Sequence, residues 1–358
     1  MHPASRLAAV FVLLASAILA AQQPAPTTAA QAPNSDTSYI DAQGTAHITR
    51  VVPIPTTISL EAQKMLASPA PDQAPPESLA ERRAHLETYT AAGRAAWTKI
   101  CPNQIVESKI AGVPVRIVTP DGMPAENRNK VLMDLHGGGF NADSGSYQES
   151  IPIASYTGIK VVAVLYRLMP EHPFPAAIDD AVAVYRELLK TYSPRHIAIY
   201  GTSAGAILTG QVAVKLKQLG LPMPAALGIF SGTGDFARLG DSEAMYTLSG
   251  LSGHLDPPRS GPQVPDEYVG STNPADPVLS PIYTDLRGLP PTLFVTSERD
   301  LLLSGTVNLH RAFLRAGVDA RLVVFDALPH GFWYHPELPE AIEANHIMAS
   351  FFVKEFGR

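Results

Sequence analysis

The residues best suited to chemistry lie in Gly201-Thr202-Ser203-Ala204-Gly205, a Gly-x-Ser-x-Gly stretch. His196 to Tyr200 before it is a short apolar strand pattern, and Ala206 to Leu219 after it reads as a helix ending at Gly220. A sharp strand-to-helix turn pushes a serine hydroxyl out at the top of a sheet. Glycines two residues either side remove side chains that would clash across that turn. The Ala204 N–H, at the helix start, is then free to face developing negative charge. The pentapeptide is short enough to arise by chance, so its weight comes from its company.

That company includes His136-Gly137-Gly138-Gly139-Phe140, directly after the apolar run Val131 to Leu135. Three glycines let a backbone turn its N–H groups into a cleft, so Gly138 and Gly139, with Ala204, are the candidate oxyanion donors. Gly137 would allow the loop its shape. The rivals are a plain turn and a phosphate loop, and the lysine and spacing of the latter are missing.

A serine hydroxyl is a weak nucleophile and needs a base. Of the 11 histidines, His330 follows the last strand pattern, Ala320 to Phe325, on a loop that can reach over the serine. His136 reads as a brace for the glycine loop and His172, between prolines, as part of a turn. A carboxylate must hold the imidazole in its useful tautomer. Asp300, just past the strand pattern Thr292 to Thr296, is the choice. Glu298 and Asp326 are its rivals.

These residues need a scaffold, and the pattern supplies one. Ile105 to Ile110 and Val113 to Thr119 read as a hairpin turning at Ala111-Gly112. Val131 to Leu135, Lys160 to Tyr166, His196 to Tyr200, Ala225 to Phe230, Thr292 to Thr296 and Ala320 to Phe325 read as strands, several buried on both faces. Helical stretches at Ala176 to Leu189, Ile207 to Leu219, Ser304 to Ala316 and Pro339 to Phe356 fall between or after them. Alternating strands and helices imply an α/β fold with a mostly parallel sheet, whose ligands sit beyond the strands' carboxyl ends.

Upstream, Ser59 to Ala67 and a longer stretch from Ser78 read as helices. Ser78-Leu79-Ala80-Glu81 is a capping box, and Leu79, Leu86, Tyr89, Ala96, Trp97 and Ile100 recur on one face.

Several motifs in order resemble the bacterial hormone-sensitive-lipase-like branch of the α/β-hydrolases. They are His136 to Gly139, the run Tyr166-Arg167-Leu168-Met169-Pro170-Glu171-His172-Pro173-Phe174-Pro175-Ala176, Gly201 to Gly205, Arg299 to Leu303, Ala316-Gly317-Val318 and His330-Gly331-Phe332. Met169 stands where that family often has alanine. The resemblance covers roughly residues 105–358. It implies the α/β-hydrolase fold, carboxylesterase activity, a two-part cap and no cofactor. The chain order of nucleophile, acid and histidine agrees. Ser203, Asp300 and His330 are then the catalytic set, with Gly138, Gly139 and Ala204 holding the oxyanion.

The expected organisation is a leader at 1–21, a linker and N-terminal segment at 22–57 and cap helices at 58–104. The catalytic core follows at 105–232 and 290–358, interrupted by a cap insertion at 233–289. The leader reading rests on a basic start, an apolar run from Leu7 to Ala21 and small residues at Ala17, Ala20 and Ala21. It predicts a periplasmic or secreted protein, and the apolar run falls short of a membrane span of about 20 residues. Gln22 to Asn34 and a Pro-rich patch at 68–76 have linker composition. The insertion carries seven prolines and should roof the cleft; a homo-oligomer contact is the rival role, and the two are not exclusive.

A formal net charge of −6 and a pI near 6.0 argue against nucleic acid as a partner. Cys101, the single cysteine, has no partner for an intrachain disulfide and reads as a buried apolar residue. No Cys/His cluster has metal-ligand spacing, so no metal is expected. Phe140, Phe332 and Trp333 are the expected apolar lining of a pocket for short- to medium-chain esters. A lactonase or other acyl hydrolase would carry the same motifs. A peptidase of this fold is disfavoured by the lack of a propeller-like repeat region. A binding relative without turnover is disfavoured by a complete candidate triad.

Overall fold

The computed structural model of the protein describes residues 37–68, 78–238, 240–253, 255 and 266–357. The expected leader and linker, most of the Pro-rich patch, and Pro257, Pro258, Pro262 and Pro265 of the insertion lie outside the described residues. The chain divides into two compact units, Met1–Pro53 and Ile54–Arg358.

In the first unit, β1 (Tyr39–Ile40) pairs antiparallel with β2 (Ala46–His47). Asp41 organises their turn: its Oδ1 accepts the N–H groups of Gln43 and Thr45 at 2.9 and 2.8 Å. Its Oδ2 lies 3.0 Å from His47 Nε2. The sequence reading had no strand here, because two-residue strands carry no periodicity.

The second unit opens with α1 (Leu60–Ala67) and α2 (Leu79–Ile100). The capping box of α2 is formed in both directions, with Ser78 N–H donating to Glu81 and Glu81 N–H to Ser78 Oγ. Its expected apolar face is only partly realised. Trp97 is buried, whereas Ile100 is exposed, since Trp97 and Cys101 take the inner positions of the last turn.

The sheet elements follow in the order β3 (Asn103–Ile110), β4 (Val113–Pro120), β5 (Val131–Leu135), α3 (Ser146–Thr157), β6 (Lys160–Val164), α4 (Ala176–Leu188), β7 (Ile197–Thr202), α5 (Ala204–Gln218) and β8 (Ala226–Phe230). The insertion then supplies two short helices, α6 (Asp241–Met245) and α7 (Asp266–Val269). β9 (Thr292–Ser297), α8 (Leu303–Arg315), β10 (Ala320–Phe325) and α9 (Pro339–Phe356) complete the unit. None of the described helices is long and apolar enough to cross a membrane.

Eight strands form one sheet in the order β10-β9-β8-β7-β5-β6-β4-β3. β4 runs against both its neighbours, and the pairings from β10 to β6 are parallel. Side chains alternate across it. Ile197 and Ile199 of β7 join one core with α4, α5 and α8, while Ala198 and Tyr200 join the other with α3 and α9. Burial on both faces explains why these strands read as continuous apolar runs.

Besides the short α6 and α7, α3 is the helix the sequence reading lacked. It is buried along most of its length, contains Pro152 and has Gly145 as its N-cap, so Asp143 Oδ1 instead accepts the N–H groups of Gly145 and Ser146 at 3.2 and 3.0 Å. A helix buried all round has no polar stripe to reveal its period.

Candidate active site

Five adjacent parallel strands deliver the candidate residues from their carboxyl ends. Across the sheet, β10 leads to His330, β9 to Asp300, β8 to Ser231, β7 to Ser203 and β5 to the glycine loop. In-register pairing keeps those ends level: Leu135 opposes Gly201, Thr202 opposes Phe230, and Ser297 opposes Phe325.

Ser203 sits on the turn between β7 and α5 with φ 59° and ψ −122°. A left-handed φ is costly for a residue with a Cβ, so the surroundings must hold it there. The flanking glycines show how tight the turn is. A Cβ on Gly201 would come within 2.2 Å of the Leu135 carbonyl oxygen, and one on Gly205 within 1.6 Å. The Ser203 N–H donates to Phe230 C=O at 3.0 Å, anchoring the elbow to β8.

Asp300 is fully buried, and its Oδ1 lies 2.9 Å from His330 Nδ1. Leu302 N–H donates to Oδ1 at 2.8 Å and Thr296 Oγ1 to Oδ2 at 3.2 Å. Ser231 Oγ also donates to Oδ2 and stands 2.9 Å from His330 Nδ1. Burial works to raise the Asp300 pKa. The charge of His330 and hydrogen bonds from His330, Ser231 and Leu302 outweigh it, leaving the carboxyl below its ordinary range. The rival Glu298 pairs with the other rival, Asp326, which raises the Glu298 pKa. Asp326 also accepts a bond from the Thr57 hydroxyl.

The glycine loop folds back on itself. Gly137 C=O accepts Ser144 N–H at 3.1 Å, and Gly138 C=O accepts the N–H of Ala142 at 3.2 Å. Among the described residues, the N–H groups of Gly138, Gly139 and Ala204 have no hydrogen-bond acceptor. His136 does brace this loop: its Nδ1 lies 2.8 Å from Gly137 C=O, and its ring stacks on Tyr166 at 4.2 Å. Tyr166 OH in turn donates to His136 C=O at 2.6 Å.

Ser203, Ala204, Gly139, Phe140 and His330 line one cavity of about 460 Å³. Arg82 of α2 and the insertion residues Tyr246, Thr247, Leu248, Ser249, Gly253 and Leu255 complete its wall, with Asn141, Ile207, Leu301 and Leu302. Phe140 is the one expected pocket aromatic found there. Its ring stacks on Tyr268 of α7 at 3.6 Å.

Phe332 and Trp333 are corrections to the sequence reading. Gly331 turns the chain with φ 68°, and the following turn of 3₁₀ helix carries both rings inward. They pack in the core with Leu328 and Phe352, and Trp333 Nε1 donates to Thr202 Oγ1 at 3.1 Å. Two neighbours were missed altogether. Ser231 carries no motif, although its φ of 56° marks it in the structure. Glu149 lies on the unanticipated α3.

A family model described as alpha/beta hydrolase fold matches residues 132–334, more than half of the chain. An acetyl-hydrolase of Streptomyces hygroscopicus is 34% identical over 64% of this chain and 77% of its own length. The crystal structure of the esterase E25 superposes with a TM-score of 0.74 at 29% identity, covering 86% of this chain and 97% of that one. An esterase from the bacterial hormone-sensitive lipase family superposes with a TM-score of 0.72 at 31% identity, covering 83% and 99%. The chain therefore belongs to the α/β-hydrolase fold family, in its bacterial hormone-sensitive-lipase-like esterase branch.

Proposed function

We propose that this ester hydrolase acts on short- to medium-chain carboxylic esters through an acyl-enzyme formed on Ser203. The observation that carries the reading is the hydrogen-bonded line from Asp300 to His330, opening on a cavity that Ser203 shares. A relative named acetyl-hydrolase and two solved structures described as esterases support an ester as the substrate.

Ser203 Oγ attacks the ester carbonyl as His330 takes its proton. Asp300 holds the imidazole by Nδ1, leaving the other ring nitrogen for the serine, and stabilises the imidazolium that forms. The tetrahedral oxygen bears a full negative charge, and the unclaimed N–H groups of Gly138, Gly139 and Ala204 are suited to receive it. His330 returns the proton to the leaving alcohol. It then activates water, which releases the acid and restores Ser203.

Leu248, Leu255, Ile207, Leu301 and Leu302 give the cavity apolar walls. Each buried CH₂ contributes about 0.8 kcal/mol until the space is filled, which favours acyl chains of about two to eight carbons. The cap role of α2 and the insertion belongs to this proposal, as does export by the N-terminal leader.

Incubation with an alkyl phosphonate and peptide mass mapping tests the reading. The adduct should sit on Ser203 and should fail to form in His330→Ala. Inhibition with the adduct elsewhere would sink the proposal. An acyl-chain series of p-nitrophenyl esters tests the length preference, and faster hydrolysis of emulsified long-chain triglycerides would contradict it.

A further inference from the structure

One buried carboxylate touches three loops of the proposed site, and no step of the reaction above uses it. Glu149 of α3 is 3% exposed. Its Oε1 accepts the Gly137 N–H at 2.8 Å and the Tyr334 hydroxyl at 2.6 Å. Its Oε2 accepts the Thr202 N–H at 3.0 Å. Gly137 leads into the oxyanion donors, Thr202 immediately precedes Ser203, and Tyr334 follows His330 on the same loop. Tyr200 OH also donates to the Glu149 backbone carbonyl at 3.2 Å. One side chain thus ties three loops that are otherwise far apart in sequence.

Its neighbour is another carboxyl. Asp134 of β5 is fully buried, and no N–H or O–H of the described residues reaches either of its oxygens. The group that Asp134 does meet is Glu149, itself an acceptor. Two ionised carboxylates cannot share such a site, so a proton must lie between them. Glu149 already has three donors and Asp134 has none, which places the proton on Asp134 and the charge on Glu149. Burial pushes Asp134 well above the usual carboxylate range and Glu149 to about 7, the latter against lowering bonds from Tyr334 and Gly137. Asp143 adds repulsion to both, while its own charge is countered by His136 and Arg116. Tyr166, Tyr200 and Tyr334 are the remaining titratable groups facing the pair.

We propose that Glu149 is a positioning residue: an ionised carboxylate that holds the oxyanion loop, the nucleophile elbow and the histidine loop in one register. Asp134 carries the proton that makes its burial tolerable. The inference rests on the reading of Ser203 and His330 as an ester-hydrolase site. The device suits that chemistry because preorganised donors are effective only if they do not move as charge develops. An amide at position 149 keeps the size but presents an NH₂ at one end. Either Thr202 N–H or the Gly137 and Tyr334 donors then face another donor, and the loops lose their common anchor.

Two measurements on the full chain test this. In Glu149→Gln, kcat for p-nitrophenyl butyrate should fall about 30-fold or more, with KM within about threefold. Binding of a butyl boronate, which mimics the tetrahedral state, should weaken by a similar factor to kcat/KM. A folded Glu149→Gln protein with wild-type kcat and boronate affinity overturns the positioning role.

The second measurement needs no active variant. Infrared spectra of the wild-type protein at about pH 8 should show the carbonyl stretch of a buried protonated carboxylic acid, when ordinary carboxyls are ionised. The band should disappear in Asp134→Asn. Its absence from the wild type, or its survival in Asp134→Asn, overturns the shared proton. Failure of the underlying ester-hydrolase reading would instead appear as unlabelled Ser203 in the wild type, and the infrared result would stand apart from it.

Discussion

Asp300 Oδ1 meets His330 Nδ1 at 2.9 Å across 30 residues of chain. Parallel pairing of β9 and β10, with Ser297 opposite Phe325, brings the two loops side by side at one end of the sheet. Fixed donors from Leu302 and Thr296 hold the Asp300 carboxylate in place. Asp300→Asn keeps the side-chain size, but it can favour the wrong imidazole tautomer and fails to stabilise the imidazolium. Its kcat should fall by at least about 10²-fold. Glu298→Gln and Asp326→Asn, which pair with each other, should stay within about tenfold. Steady-state kinetics of the three variants check the assignment, and collapse of either of the latter alone would move the acid role to that residue.

Ser231 donates to the same carboxylate. A bond to a charged, buried acceptor is worth about 1.5–3 kcal/mol. Thr296 and Leu302 still hold Asp300 when it is removed, so Ser231→Ala should lower kcat by about tenfold, well short of the Asp300→Asn loss. Kinetics of the single variants and of the double variant measure the coupling. Full additivity would mean that Ser231 acts elsewhere.

Phe332 and Trp333 should behave as core residues. Phe332→Ala should cost about 3–5 kcal/mol of stability, the range for emptying a large buried side chain. Leu248→Ala, in the cavity wall, should instead raise KM for butyrate and hexanoate esters with little change in melting temperature. Urea unfolding beside the acyl-chain series separates the two, and a selective change of chain-length preference in Phe332→Ala would return that ring to the pocket.

Acid stability should carry the signature of Asp143. Burial raises its pKa, but the charge of His136, hydrogen bonds from Ser146 and the charge of Arg116 bring it down to about 2. A carboxyl depressed in the folded state stabilises above its unfolded pKa of about 4. That contribution, about 2 kcal/mol, is lost as pH falls through about 2. The stability difference between wild type and Asp143→Asn should therefore shrink between about pH 4 and pH 2. Denaturant titrations across that range measure it, and a constant difference would contradict the linkage.

Much of this site was legible because its parts lie at strand ends, and strands buried on both faces stand out as apolar runs. The Ser203 elbow, the glycine loop and Asp300 each follow such a run, and His330 follows β10, a partly exposed edge strand that is still largely apolar in sequence. What stayed hidden has no local signal. Glu149 rides on α3, whose burial erases helical periodicity and whose N-cap is Gly145, its first N–H groups being held by Asp143 further upstream. Ser231 matters only through two residues that reach it from other strands. Phe332 and Trp333 were misplaced because their direction depends on the left-handed turn at Gly331, which sequence spacing does not show.

The nucleophile remains the centre of the account, and one substitution addresses it. Ser203→Ala removes an oxygen from a side chain whose strained backbone is held by its neighbours, so circular dichroism and melting temperature should match the wild type. Turnover of p-nitrophenyl butyrate should fall by about 10⁴-fold or more. A folded Ser203→Ala protein that hydrolyses the ester at the wild-type rate would contradict the account.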